Sequence, residues 1–347
     1  MGRAVKGKAG HKRVALDPMT NEFNAFNSLF TQAVARTGVE TVPYQWGLRE
    51  LARNDAVILH WPDAFMNPVN ARAAAGQLAR LLLLRRTRGL KLVWVAHNVA
   101  PHEDSGSNSF IRKRFLASLD GIIYLSHRSR ELVHQTYRLS NRVVEQVTVH
   151  GRYPATVTPI APPIADQPAR VVSIGLVRPY KNLGELVTAA RDLDPARIEI
   201  AIVGKRHDAD YAASLEASAR PGGALRFDLC DTLLSEAEIE ATIDAAHGVV
   251  LPYRNILNSG SAIHALSRGR PVLVPALGSM PELARLIGEE WVQLYDGELT
   301  GKRLADFAAH LRSLPSGAQP DLSPLSWDRV TQDLKSFFER LFNGACR

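Results

Sequence analysis

The sequence predicts an α/β protein built from two doubly wound domains in tandem. Short apolar runs rich in β-branched residues alternate with amphipathic helical stretches, which is typical of parallel sheets covered by helices on both faces. A proline-rich stretch at residues 153–168 interrupts this alternation, which then restarts, so we interpret the stretch as a linker. The length of 347 residues is sufficient for two ordinary domains.

The first half contains six segments with the composition of buried strands. They are residues 12–17, 40–44, 55–61, 91–98, 121–126 and 146–151. The spacing of apolar residues between them predicts helices at residues 28–37, 69–88 and 129–137. We assign residues 1–160 to an N-terminal domain.

The second half repeats the pattern. Its predicted strands are residues 169–175, 197–204, 225–229, 247–253, 271–276 and 291–296. We assign residues 161–325 to a C-terminal domain. Residues 326–347 form a tail, in which residues 326–342 have the spacing of an amphipathic helix.

Composition excludes several classes of protein. Hydrophobic residues make up 46% and charged residues 22%, as in ordinary globular proteins. The two cysteines, Cys230 and Cys346, lie in neither a CxxC nor a histidine-rich context, so we expect no metal site and no disulfide framework. No secretory signal is visible, and the most leucine-rich stretch, residues 78–84, is too short to span a bilayer. We therefore expect a cytoplasmic protein.

The net charge of +7 is unevenly distributed. Residues 1–165 contain 22 lysines and arginines against 11 acidic residues, whereas the remainder contains 20 against 24. Basic residues are interleaved with apolar ones at residues 79–91 and 110–115, a pattern that favours either an anionic membrane surface or a normal helix on a sheet. The basic residues lack the interleaved aromatic residues expected for stacking on nucleic acid bases, so we expect no nucleic acid partner.

A phosphate site is predicted after the first strand of the second half. Ligands of open α/β sheets lie beyond the carboxyl ends of the strands, and a cleft between two domains is a common place for them. Here the strand ends at Gly175, and Arg178 and Lys181 follow beside the start of a helix. Two cations at a helix N-terminus can hold a phosphate. The alternative is a solvated loop in which Asn182 caps the helix.

A second candidate follows the strand that ends at Tyr253. Its turn consists of Asn258, Ser259, Gly260 and Ser261 and presents hydroxyls and backbone N–H groups at a helix start, where an anion is favoured. The alternative is a helix cap without a ligand. Glu282 falls in the first turn of the next helix, which suits a cap or a ribose contact.

The first half offers candidate general bases and hydroxyl-binding residues at strand ends. His60 lies at the end of one predicted strand and is followed by Asp63, and His97 lies at the end of another and is followed by Glu103. Each alone is more often structural, but their clustering favours a functional role for at least one. The amides of Asn24, Asn27 and Asn98 suit an acceptor rich in hydroxyls.

These motifs resemble a known group of enzymes. The segments "IGLVRPYKNL" and "ALSRGRPVLVPALGSMPEL" are similar to those of GT-B nucleotide-sugar glycosyltransferases, which have two Rossmann-like domains facing a central cleft. The segments "HWP", "AHNVAPHE" and "PYRNILNSGSAIHALSRGRPVL" most resemble bacterial GDP-mannose β-mannosyltransferases of exopolysaccharide assembly, glycosyltransferase family 94.

The resemblance implies a specific reaction. The donor would be GDP-mannose, and the acceptor an oligosaccharide linked to polyprenyl diphosphate. The sugar would be transferred with inversion at the cytoplasmic face of the inner membrane, where the enzyme would be peripheral. In such enzymes the tail helix usually crosses back to the first domain.

One departure from the larger GT-B group is informative. Retaining members of that group carry a Glu-x7-Glu pair, and the aligned positions here are Ile256 and His264. We therefore expect inversion, with a base from the first domain: Asp63 or Glu103 ahead of His60 and His97. Arg178, Lys181 and the turn would neutralise the departing diphosphate, so we expect no metal ion to be needed.

Three alternatives remain open at this level. A retaining GT-B transferase would use another nucleotide sugar. A sugar-nucleotide epimerase or hydrolase would need no lipid. A non-catalytic protein would bind membranes or polyanions through its basic first half.

Overall fold

The computed structural model describes residues 11–21, 24–98, 109–154, 159–164 and 166–344. The chain divides into two compact units. The first comprises Met1–Leu125, Leu132–Val149 and Trp327–Arg347, and the second comprises Ser126–Glu131 and His150–Ser326. The boundary thus falls near residue 149 instead of residue 160, and one short segment of the first half belongs to the second unit.

The first unit contains a parallel sheet of six strands within the described residues. They are β1 (Arg13–Asp17), β2 (Glu40–Pro43), β3 (Ala56–Leu59), β4 (Lys91–Ala96), β5 (Gly121–Tyr124) and β6 (Val144–Val147). Their order is β2-β1-β3-β4-β5-β6. Strands β3 and β5 are buried along their whole length, as expected for apolar strands covered on both faces.

In the part of the first half that the structure describes, six helices alternate with these strands. They are α1 (Ala25–Arg36), α2 (Leu48–Leu51), α3 (Asp63–Met66), α4 (Ala71–Arg88), α5 (Ser109–Ala117) and α6 (His127–Thr136). Local chemistry sets the ends of α4: the Asn70 side chain accepts a hydrogen bond from the Ala73 N–H, and Gly89 ends the helix at a φ of 73°. The leucines of α4 pack into the core formed on one face of the sheet.

The second unit repeats the architecture with another strand order. Its strands are β7 (Ala169–Ile174), β8 (Ile198–Lys205), β9 (Leu225–Cys230), β10 (Gly248–Val250), β11 (Val272–Pro275) and β12 (Val292–Tyr295). All pairs are parallel, in the order β12-β11-β10-β7-β8-β9. Read from the other edge, this is the Rossmann order, which reverses between β7 and β10.

The helices of the second unit fall between its strands. They are α7 (Leu183–Ala190), α8 (Ala209–Ser218), α9 (Glu236–Ala245), α10 (Gly260–Ser267), α11 (Met280–Ile287) and α12 (Gly301–Ser313). A capping box starts α9, because Ser235 and Glu238 each accept a hydrogen bond from the backbone N–H of the other. The predicted fold class, two doubly wound α/β domains, is thereby confirmed.

The tail forms one long helix, α13 (Trp327–Asn343), which packs in the first unit against α1 and β6. Its apolar side holds the fully buried Phe337. Polar contacts fix its register, since the Thr148 hydroxyl donates to Asp333 at 2.8 Å and Arg340 donates to the Glu145 carbonyl at 3.0 Å. Among the described residues, no helix is long and apolar enough to cross a membrane.

Candidate functional site

The strand order of the second unit locates its ligand crevice. In open α/β sheets, ligands bind beyond the carboxyl ends of the two strands at which the order reverses, here β7 and β10. Gly175 follows β7 with a φ of 117°, and Gly204 lies near the end of β8 with a φ of 149°. A Cβ atom on Gly204 would collide with the Gly175 carbonyl oxygen. Glycine is therefore required where these two strands end in close contact.

Two cations lie beside this crevice. The Lys181 side chain is only 8% exposed, and its ammonium donates to the Ile174 carbonyl at 3.1 Å. Burial, and then the neighbouring charge of Arg178, lowers the pKa of Lys181 to about 8. Holding two like charges together in a partly buried site is unfavourable, and an anion between them would relieve it.

Arg178 is placed by a neighbour that the sequence did not indicate. Its guanidinium donates to His207 Nδ1 at 3.4 Å, while its Nε is buried and finds no partner among the described residues. His207 follows β8 within "GKRH", a stretch that carries no recognisable motif. Its role becomes visible only because the ends of β7 and β8 are adjacent.

The turn after β10 is fixed by side-chain bonds. Asn258 Nδ2 donates to Ser129 Oγ at 3.3 Å, which ties the turn to the segment Ser126–Glu131 of the same unit. Ser259 caps α10 by accepting from the Ala262 N–H at 3.0 Å. A Cβ atom on Gly260 would lie 3.0 Å from the hydroxyl of Tyr153, so there is little room for a side chain. The helix cap that the sequence offered as the alternative to a ligand site is present, and α10 begins beside the crevice.

Two tyrosines flank the cations. The Tyr180 and Tyr253 rings are nearly parallel, with centroids 6.4 Å apart, and the Lys181 ammonium lies 6.0 Å from the Tyr253 ring centre. Burial raises the pKa of Tyr253 to about 12, and the neighbouring hydroxyls of Ser261 and Ser259 act in the opposite direction. The turn, the tyrosines and the cations therefore form one connected group.

Glu282 acts as a cap, but not for its own helix. Its two carboxylate oxygens accept the backbone N–H groups of His127 at 3.0 Å and Arg128 at 2.6 Å. These are the first residues of α6 and belong to the second unit. The sequence suggested a cap or a ribose contact, and both carboxylate oxygens are engaged in capping.

Two predicted histidines meet at the edge of the first sheet. His60 is fully buried, and its Nδ1 lies 2.9 Å from His97 Nε2. The Phe30 ring meets His60 edge-on at 5.0 Å, and the His97 ring stacks on Trp61 at 4.6 Å. Burial lowers the pKa of His60 to about 3. His60 is therefore neutral, and its burial makes it a support for His97 instead of a group that reaches a substrate.

The remaining predicted residues of the first unit are scattered. Asp63 is exposed in the first turn of α3. Asn24 caps α1, and Asn27 is fully buried, donating to the Pro18 carbonyl at 3.5 Å. Asn98 is half-buried after β4. Glu103 lies outside the described residues.

The buried His60 predicts a pH dependence of stability. The unfolded state takes up a proton at His60 near pH 6.5 whereas the folded state does not, so this residue should lower the free energy of unfolding by about 1.4 kcal/mol per pH unit as pH drops below 6.5. The variant His60→Asn retains a polar atom near the position of Nδ1 and should remove this share of the slope. The shares of the buried His150 and His247, whose pKa values burial also lowers, should remain. Denaturant unfolding at pH 5–7 measures it, with the exposed His127→Asn as the control. An unchanged slope in His60→Asn would contradict the assignment.

Comparison with known proteins defines the class and then the family. Sucrose-phosphate synthase from Thermosynechococcus elongatus has a similar structure, with a TM-score of 0.65 and 15% identity, covering 96% of this chain and 100% of that one. Anabaena HepE in complex with UDP-glucose gives a TM-score of 0.60 and 14% identity, covering 95% of each chain. At these identities the likeness shows the fold alone, which is that of the GT-B glycosyltransferases.

The family comes from sequence relatives. No family model matches the chain. Two curated relatives from Xanthomonas campestris pv. campestris, both GDP-mannose:glycolipid 4-beta-D-mannosyltransferases, are 30% identical over 314 residues, covering 84% of this chain and 81% of each relative. The chain belongs to this family, and the protein is a glycosyltransferase. The predicted resemblance is confirmed, and the non-catalytic alternative is not supported.

Proposed function

We propose that this glycosyltransferase moves mannose from GDP-mannose to an oligosaccharide linked to polyprenyl diphosphate, in the assembly of an exopolysaccharide. The pair of Arg178 and Lys181 carries the proposal, because it lies at the switch point of the second sheet, where a nucleotide diphosphate binds in such folds. The names of the relatives give a GDP-mannose donor and a glycolipid acceptor for those proteins. The polyprenyl carrier and the exopolysaccharide go beyond those names and are part of our proposal.

The cations would stabilise the leaving group. As the bond between the sugar and the diphosphate breaks, negative charge grows on the diphosphate oxygens, and preorganised N–H donors lower the barrier. The Lys181 ammonium has three N–H donors, and its bond to Ile174 uses one. The N-terminus of α10 adds its dipole. We propose that these groups suffice without a metal ion, so that turnover should survive EDTA.

An inverting mechanism fits the residues at the two positions where retaining relatives carry glutamates. His264 stacks on Tyr153 with ring centres 4.5 Å apart, and its Nε2 lies 3.8 Å from Glu240 on α9. Ile256 offers no functional group. Inversion needs a base beside the acceptor hydroxyl, and we place that base in the first unit.

A single experiment tests the reaction. The protein is incubated with a panel of nucleotide sugars, and nucleotide release is followed with and without a synthetic polyprenyl-diphosphate disaccharide. The anomeric configuration of the product is then determined by NMR. We expect acceptor-dependent release of GDP and a β-linked product. An α-linked product would contradict inversion, and stronger turnover of another nucleotide sugar would contradict the donor.

We further propose that the first unit rests on an anionic membrane, at the cytoplasmic face of the inner membrane. Helices α4 and α5 carry basic but no acidic residues. A cavity of about 340 Å³ between them has an apolar lining that includes Leu78 and Ile111, with Arg72 and Arg114 also contributing. Phe110 beside it is 67% exposed. Apolar surface next to arginines suits the interface of an anionic bilayer.

Vesicle binding tests this surface. Each lysine or arginine near an anionic bilayer contributes about 1 kcal/mol, so Arg72→Ala/Arg114→Ala should weaken partitioning onto phosphatidylglycerol vesicles about 30-fold. The matched control is Arg197→Ala/Lys302→Ala, which removes the same charge from exposed positions of the second unit. Equal loss in both pairs would indicate a non-specific effect of net charge.

A further inference from the structure

The first sheet has a switch point of its own, and no predicted site residue lies on either of the two strands that form it. The order β2-β1-β3 reverses the winding between β1 and β3, and ligands bind beyond the carboxyl ends of strands at such a point. Asp17 is the last residue of β1 and is paired with Leu59, the last residue of β3. An acidic side chain therefore lies where this topology places a ligand.

Tyr44 lies beside Asp17. In the pairing of β1 with β2, Leu16 aligns with Pro43, so the next residues, Asp17 and Tyr44, are neighbours on one face of the sheet. The Tyr44 hydroxyl is buried and finds no hydrogen-bond partner in the described part of the chain. The half-buried Asp17 carboxylate likewise has no hydrogen bond or ion pair to any described residue.

A buried hydroxyl without a partner, such as that of Tyr44, is costly unless a ligand satisfies it, and the half-buried Asp17 carboxylate lies beside it. A carboxylate accepts hydrogen bonds, and a phenol can donate or accept one, so together they match a ligand rich in hydroxyls. The half-buried Trp46 adds an aromatic surface, since its ring meets Tyr44 edge-on with centres 4.7 Å apart. Carboxylate, phenol and indole in one place suit a sugar.

We propose that Asp17, Tyr44 and Trp46 form the subsite for the acceptor sugar, and that Asp17 receives the proton of the attacking hydroxyl. This inference rests on the proposed function. The acceptor oxygen forms a bond to C1 of the donor sugar as its proton passes to the Asp17 carboxylate. The bond from C1 to the diphosphate oxygen breaks, and its electron pair leaves with the nucleoside diphosphate.

The surroundings of Asp17 suit a base. Burial raises the pKa of its carboxyl group, which makes the carboxylate a better proton acceptor near neutral pH. The exposed Asp63 has no comparable burial, and the fully buried His60 cannot meet an acceptor. Burial raises the pKa of the Tyr44 hydroxyl and the Asp17 carboxylate raises it further, whereas the positive charge of Arg80 lowers it.

The test compares Asp17→Asn with Asp328→Asn, which removes a carboxylate that is 89% exposed in the same unit. Mannose transfer from GDP-mannose to the synthetic polyprenyl-diphosphate disaccharide is measured beside binding of GDP, which reports the second unit. Asp17→Asn should lower transfer about 10²–10⁴-fold without weakening GDP binding, and Asp17→Glu should restore part of it.

The pH profile and the acceptor KM give further readouts. Because the base must be ionised, wild-type activity should fall at acid pH, and this fall should disappear in Asp17→Asn. Tyr44→Phe and Trp46→Phe should raise the KM for the acceptor.

Equal transfer by Asp17→Asn and Asp328→Asn would overturn the proposal. Should the wild type transfer no mannose to this acceptor, the proposed reaction fails and the subsite is judged by binding alone. Octyl β-D-glucoside below its micellar concentration is then the probe, followed by tryptophan fluorescence. Binding that weakens at least tenfold in Asp17→Asn and Trp46→Phe would support a sugar subsite. Absent or unchanged binding would overturn it.

Discussion

Replacing Lys181 with alanine is expected to lower turnover of the nucleotide-sugar donor by about 10²–10³-fold, the usual effect of removing one preorganised donor from a developing oxyanion. The ammonium is buried, bonded to Ile174 and close to Arg178, so no mobile side chain can take its place. Measurement of kcat and KM for GDP-mannose, with thermal unfolding to check the fold, tests this. The control Lys302→Ala removes an exposed lysine of the same unit.

The pH dependence of donor affinity is a second test of Lys181. Only the protonated amine attracts the diphosphate, and the pKa of Lys181 is about 8 before an anion binds. Donor affinity should therefore decline as pH rises through 8. Lys181→Arg keeps its charge throughout this range and should remove the decline. Full turnover in Lys181→Ala, or an unaltered alkaline limb in Lys181→Arg, would refute the role of this residue in binding the diphosphate.

Replacing Phe337 with alanine is expected to cost about 3–5 kcal/mol of unfolding free energy, the range for large aromatic side chains removed from a core. Phe337 is fully buried in α13 and packs so tightly on Gly121 of β5 that a Cβ atom there would meet its ring. This loss of stability should appear in the unfolding transition of the first unit, because α13 belongs to that unit. Denaturant unfolding followed by tryptophan fluorescence measures it.

The exposed Glu339 on the same helix supplies the comparison. Glu339→Ala should change stability by less than about 0.5 kcal/mol. If Phe337→Ala also changed it by less than 1 kcal/mol, the packing of α13 on the first sheet would not be what holds the tail in place.

Local patterns predicted the strands well because burial on both faces of a parallel sheet demands continuous apolar runs. The boundary between units was predicted about ten residues late, since the proline-rich stretch that marks it begins after the chain has already entered the second unit. The assignment of Ser126–Glu131 to the second unit has no local signal. It follows from bonds that Asn258 and Glu282 make with residues more than a hundred positions away.

The candidate site divides in the same way. Gly175, Arg178, Lys181 and the turn at Asn258–Ser261 could be proposed from sequence, because cations and small residues at the end of a strand are a local pattern. Burial shows that His60 supports His97 instead of reaching a substrate, and the pairing of β1 with β2 brings Asp17 beside Tyr44. Neither could be read locally, since the side-chain partners are 27 to 37 positions apart.

The sequence by itself determined the class of fold, the position of the candidate phosphate site and the resemblance to the mannosyltransferases. Each depends on residues that are neighbours along the chain, where periodicity and residue type are sufficient. Only the tertiary structure decided which residues share an edge of a sheet, which are buried, and which lack partners. Those properties depend on the order and register of the strands, and it is that order which places Asp17 at one switch point and Lys181 at the other.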